Sequence, residues 1–180
     1  ILLFLGVILL HIVFLYSSFF NSPYEAFNTW RQGDTYSIAI NFLNRDFNIL
    51  RPQFFYDGSG VNIVQLELQI LTYLGALYQK ITMTDGVLIY RVISYIFFIL
   101  SSIYLFKISR KFMSDFASLI AIIVYFFMPL SLEYSRAIMP ESLALFFYLG
   151  SVYYILKYYL DGGEFNIILS AIFMGLAITQ

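Results

Sequence analysis

The chain has 180 residues, of which 61% are apolar and only 12% charged, and its mean hydropathy is +0.80. A soluble domain is about half apolar and about a quarter charged, so lipid must replace water over much of this surface. The net charge of −1 leaves no electrostatic footprint for nucleic acid, and the lack of cysteine excludes disulfides and thiolate metal sites.

A bilayer crossing takes about 20 apolar residues. The pattern predicts a first span over residues 1–20, with His11 its one strongly polar side chain. His11 reads as a hydrogen-bonded residue inside a bundle rather than as a metal ligand. The run is too long for the apolar core of a signal peptide, and no small-residue cleavage site follows it. The chain opens at Ile1 inside this run and closes at Gln180 just after another. It therefore reads as the N-terminal fragment of a longer multi-span domain.

Residues 21–86 form a polar island that carries Arg31, Asp34, Arg45, Arg51 and Glu67. In 36–47, Tyr36, Ala39, Ile40, Leu43 and Phe47 recur at helical spacing, with Ser37, Asn41, Asn44 and Arg45 opposite. This predicts an amphipathic helix in the interface plane. Arg51-Pro52 breaks the chain, and Asp57-Gly58-Ser59-Gly60 marks a turn, with too few carboxylates nearby for a calcium loop. A second amphipathic helix is expected over 61–81, with a polar stripe at Gln65, Gln69, Thr72 and Gln79. Glu67 falls off that stripe and stacks with Leu71, Leu74 and Tyr78 on an apolar face.

Further spans are expected at 87–106, with Arg91 near an interface, at 116–132, at 142–159 with Lys157 snorkelling at its end, and, shortened, at 165–178. Backbone in lipid must satisfy its own hydrogen bonds, and the runs lack strand alternation, so all should be helices. The expected fold class is an all-α, polytopic transmembrane helix bundle with amphipathic interfacial helices in a first external loop. Lys107, Arg110 and Lys111 in a short loop, with Lys157 on the same side by alternation, point to the cytoplasm. The island and 133–141 then share the extracytoplasmic face of a multi-pass plasma-membrane protein.

The polar residues at that face are the candidates for chemistry. Asp34 opens the amphipathic helix, where an N-cap is the simplest role. It also suits a general base, because partial shielding from water raises a carboxylate toward a useful range. Glu141 follows Pro140 at a span start, an arrangement that helix initiation alone would explain. Arg136, Glu133 and Glu141 nevertheless share one short loop on the same face as Asp34. Two acidic positions beside arginines suit a phosphate-bearing, lipid-linked substrate, since the guanidinium fork matches phosphate oxygens. Glu67 on an apolar face needs a partner, for which Arg31 or Arg91 would serve.

The order and spacing of WRQGDTYSIAINFL, QLELQILTYLGALYQKI, Arg91 and SRAIMPESLALFF resemble family 39 glycosyltransferases. The similarity lies with the branch related to protein O-mannosyltransferases and the aminoarabinose transferase of lipid A, membrane enzymes of the GT-C fold. The resemblance implies that Asp34 is the catalytic acidic residue of the first external loop. Relatives often carry Asp-Glu there, whereas this chain has Asp34-Thr35. It further implies that Glu141, after Arg136, is the next acidic position, where many relatives have Asp. The implied donor is a polyprenyl-phosphate sugar and the implied reaction inverts the anomeric centre. Arg31 and Arg136 are the local candidates for the leaving phosphate, with Glu67 among the substrate-binding residues.

The expected partners are therefore the lipid-linked donor, a lipid, glycan or protein acceptor, and membrane lipids, with no nucleic acid. The one cofactor left open is a divalent metal. The competing function is a transporter or flippase of lipid-linked sugars. That class places ionisable residues within its spans near the midplane, whereas here most charges stand at the ends.

Overall fold

The computed structural model describes residues 2–21, 29–55, 59, 62–64 and 67–180. Among them eight helices form: α1 (Leu2–Asn21), α2 (Thr29–Asn44), α3 (Ile70–Thr82), α4 (Leu88–Ser109), α5 (Asp115–Phe127), α6 (Pro129–Tyr134), α7 (Glu141–Asp161) and α8 (Glu164–Ile178). No strand forms among the described residues. An isolated antiparallel bridge joins Gln53 to Ile63. Of the turn expected at Asp57-Gly58-Ser59-Gly60 only Ser59 lies within the described residues, and Gln65 lies outside them.

The helices α4 and α7 are long and apolar enough to cross a bilayer, while Leu3–Leu15 of α1, α5 and α8 are shorter apolar stretches. At about 1.5 Å per residue, the 22 residues of α4 reach the roughly 30 Å of a hydrocarbon core.

Two expected helices are cut. The helix expected over 61–81 starts only at Ile70. The described residues ahead of it are spent on other partners: Val64 N–H donates to Pro52 O at 2.9 Å, Phe54 N–H to Asn62 O at 3.3 Å, and Leu68 N–H to Thr179 O at 2.6 Å. Backbone groups paired with a distant segment are not free to build a helical turn. Glu67 therefore lies before the helix and not on its apolar face. The stretch expected as one span at 116–132 ends at Phe127. Met128 turns extended at φ −66°, ψ 141°, as a residue before proline is pushed to do, and Pro129 opens α6 at its first turn.

The described residues of the polar stripe point inward. Gln69, Thr72 and Gln79 are buried. Thr72 Oγ1 donates to Gln69 Oε1 at 2.7 Å, Tyr90 OH donates to Gln79 Oε1 at 2.6 Å, and Gln79 Nε2 donates to Gly86 O at 2.8 Å. Leu74, Leu77, Tyr78 and Ile81 are exposed instead. Gly75 lets the helix close on α4, because a Cβ there would overlap the Tyr90 ring.

The core has two main centres. In the first, His11 of α1 meets Tyr95 OH of α4 through Nδ1 at 2.9 Å, walled by the rings of Phe98, Phe126 and Phe127. His11 is thus the hydrogen-bonded bundle residue expected. In the second, Ala39, Leu71, Tyr90, Ile138 and Leu143 join α2, α3, α4, the loop 135–140 and α7. Arg91 of α4 is fully buried. The pair α7–α8 is pinned by Ser151 and Ser170, each hydroxyl donating to the other's carbonyl at 2.9 and 3.0 Å.

Candidate active site

The site lies where α2 meets the start of α7. The helix α2 begins at Thr29, seven residues before the amphipathic pattern that starts at Tyr36. Asp34 consequently sits in the second turn of α2 and does not cap it. The N-cap role is ruled out by position, since a cap flanks the helical residues. Thr35 Oγ1 donates to Arg31 O at 2.9 Å and Ser37 Oγ to Asp34 O at 2.7 Å. Both hydroxyls bond back to the backbone of α2, and the Asp34 side chain stays exposed.

Four-residue spacing puts Trp30, Asp34 and Ile38 on one face of α2, and Arg31 with Thr35 beside it. This face lines a cavity of about 320 Å³ formed by Trp30, Arg31, Asp34, Thr35, Ile38, Phe54 and Glu67. Three charged side chains therefore converge on one space from two separate segments of the island.

Arg31 also reaches α7. Its Nη1 lies 3.3 Å from Glu141 Oε1, with the two side chains 39% and 33% exposed. A half-exposed pair of this kind contributes at most about 1 kcal/mol to stability, so its consequence is geometric. Glu67 is near enough to oppose the charge of Glu141, which Arg31 offsets. The other carboxylate oxygen of Glu141, Oε2, is buried without a hydrogen-bond partner among the described residues. Buried polar atoms left in that state call for an explanation, a substrate among them. Glu141 also borders an apolar cavity of about 490 Å³ with Phe98, Tyr125, Met128, Leu130, Tyr134 and Leu145 on its walls.

Of the residues singled out by sequence, Asp34, Arg31, Glu67 and Glu141 come together. Arg136, half-buried between α6 and α7, lines neither cavity. Glu67 pairs with neither Arg31 nor Arg91 in an ion pair among the described residues, because Arg31 is taken by Glu141. No group of three or more His, Asp or Glu that could hold a metal ion occurs among the described residues. Trp30, Phe54 and Gln32 were not singled out. Extending the helical register of 36–47 back to Thr29 would have found the first and third; Phe54 reaches the cavity from a non-helical segment and leaves no periodic trace.

Residues 70–180, more than half of the chain, match the family described as dolichyl-phosphate-mannose-protein mannosyltransferase. The chain belongs to this family. Membership makes it a membrane glycosyltransferase of mannosyltransferase-like type, with a lipid-linked sugar donor and an acceptor in general terms. The matched segment contains Arg136 and Glu141 and begins after Arg31, Asp34 and Glu67. No curated protein and no solved structure matches this chain.

Proposed function

We propose that this protein transfers a sugar from a polyprenyl-phosphate donor to an acceptor hydroxyl, with inversion, at the extracytoplasmic face of the plasma membrane, on a polytopic GT-C helix bundle. The observation that carries the proposal is the convergence of Arg31, Asp34 and Glu67 on one cavity with Arg31 tied to Glu141.

Each residue then has a task. Asp34 accepts the proton of the acceptor hydroxyl as its oxygen forms a bond to the anomeric carbon. The bond from that carbon to the phosphate oxygen breaks, and the electron pair leaves with the lipid phosphate. Arg31 faces the charge that develops there, the kind of preorganised cation that stabilises a leaving anion. Glu141 holds Arg31 with one carboxylate oxygen and offers the other to a sugar hydroxyl. Glu67 accepts a further hydroxyl across the cavity, and Trp30 supplies an apolar wall. Arg136 lines neither cavity and is a second cation for the leaving phosphate.

The decisive measurement is Asp34→Asn in the full-length membrane-inserted enzyme, assayed with a polyprenyl-phosphate sugar. Loss of a general base typically slows a reaction roughly 10²–10⁴-fold. Asp34 is exposed and caps nothing, so the variant should insert and fold like the parent. A transfer rate near that of the parent would remove Asp34 from the chemistry.

A further inference from the structure

We infer that Gln32 is a positioning residue for this reaction, acting through Glu141; the inference rests on the function proposed above. Gln32 is a polar side chain on α2 that is 1% exposed. Its Oε1 accepts a hydrogen bond from Ile138 N–H at 3.2 Å, across 106 positions of sequence. Ile138 sits in the loop 135–140 between α6 and α7, where Ser135, Ala137, Ile138, Met139 and Pro140 are all buried. Such a loop has backbone groups that water does not reach, so they must find partners within the protein.

The arrangement is a two-point clamp. Arg31 holds Glu141 at 3.3 Å and its neighbour Gln32 holds Ile138, three residues earlier. Adjacent residues on a helix diverge by about 100°, so the two contacts restrain the loop from different directions. A single ion pair between half-exposed side chains would let Glu141 swing about Arg31. The buried bond to Ile138 removes that freedom and fixes the distance between Glu141 and the face of α2 that bears Asp34. Packing reinforces it, since Ile138 and Leu143 on either side of Glu141 join one buried cluster with Ala39 of α2.

The test uses the full-length enzyme, with rates normalised to folded protein. Gln32→Met keeps the length of the side chain and removes the amide oxygen. The expected result is a kcat lowered roughly 10- to 100-fold, the scale of a misplaced reacting group, with the KM for donor little changed. In a Glu141→Gln background the same substitution should add no further loss, because the clamp then holds no carboxylate for Arg31 and the sugar hydroxyl. A residue that only stabilises the fold would lower the folded yield and leave the normalised kcat in place. Should Gln32→Met reduce the yield too far, Gln32→Asn keeps a buried amide but withdraws it by one methylene, and the same pair of backgrounds is read. A normal kcat, or a loss that multiplies fully with that of Glu141→Gln, overturns the inference. If Asp34→Asn and Glu141→Gln both transfer normally, the function itself has failed. If both are slow and Gln32→Met is normal, only the clamp has failed.

Discussion

At the level of single residues, the site combines groups whose chemistry was legible in the sequence with contacts that were not. Asp34 and Glu141 stand out because carboxylates are rare in so apolar a chain. The bond from Arg31 to Glu141 spans 110 positions, and no local pattern encodes it. Arg31 shares a cavity with Asp34 and an ion pair with Glu141, and in the proposed reaction its fork matters more than its charge. Arg31→Lys retains the cation but cannot bridge Glu141 and a phosphate in one plane. The expected outcome is a rise of roughly 10- to 100-fold in the KM for donor, as the loss of one charge-assisted hydrogen bond implies, measured by steady-state transfer at varied donor. An unchanged KM would place the phosphate elsewhere. Glu67 illustrates the limit of periodicity. Its apolar neighbours on a wheel were counted for a helix that does not exist at that position, since the described residues around it are held by Pro52, Phe54 and Thr179.

At the level of elements, helical periodicity found α2 and α3 but misjudged where each begins and left open which way α3 faces. Composition cannot distinguish a polar stripe turned to water from one turned to a protein interior while lipid covers the other side. Tyr90 decides it, because its hydroxyl needs the buried Gln79 and its ring needs Gly75 to have no side chain. Gly75→Ala should therefore lower the stability of the solubilised protein by about 1–3 kcal/mol, the usual penalty for overpacking, read as a lowered midpoint of thermal unfolding. Leu77→Ala, on the exposed face, should have a smaller effect, and equal losses at both positions would contradict the inward orientation. Pro129 teaches the complementary lesson. It was visible in the sequence, yet apolarity alone carried the expected span through it; the missing N–H and the restriction on Met128 end α5 regardless of hydropathy.

For the whole molecule, ion pairs mark the two ends of the bundle. Arg110 bonds Asp115 at 2.6 Å and Lys111 lies 4.0 Å from Asp161, so the short basic loop and the end of α7 share one end. Arg31 and Glu141 define the other. The chain has no cysteine, which makes single-cysteine labelling clean. Asn44→Cys at the end of α2 and Phe112→Cys in the basic loop are both at exposed positions. An impermeant maleimide added outside intact cells should label the first and not the second; the reverse pattern would invert the membrane orientation. Amino-acid sequence alone determined the membrane class, the helical content and the acidic residues at issue, because these follow from composition, from local periodicity and from the need of backbone in lipid to bond to itself. Tertiary structure alone decided that α2 starts early enough to carry Asp34 in its second turn, that α3 turns its glutamines inward, and that Arg31 and Gln32 grip the loop before α7. The last of these depends on partners more than 100 positions away in the chain, and a hydrogen bond or ion pair between distant segments leaves no period in the sequence from which it could be read.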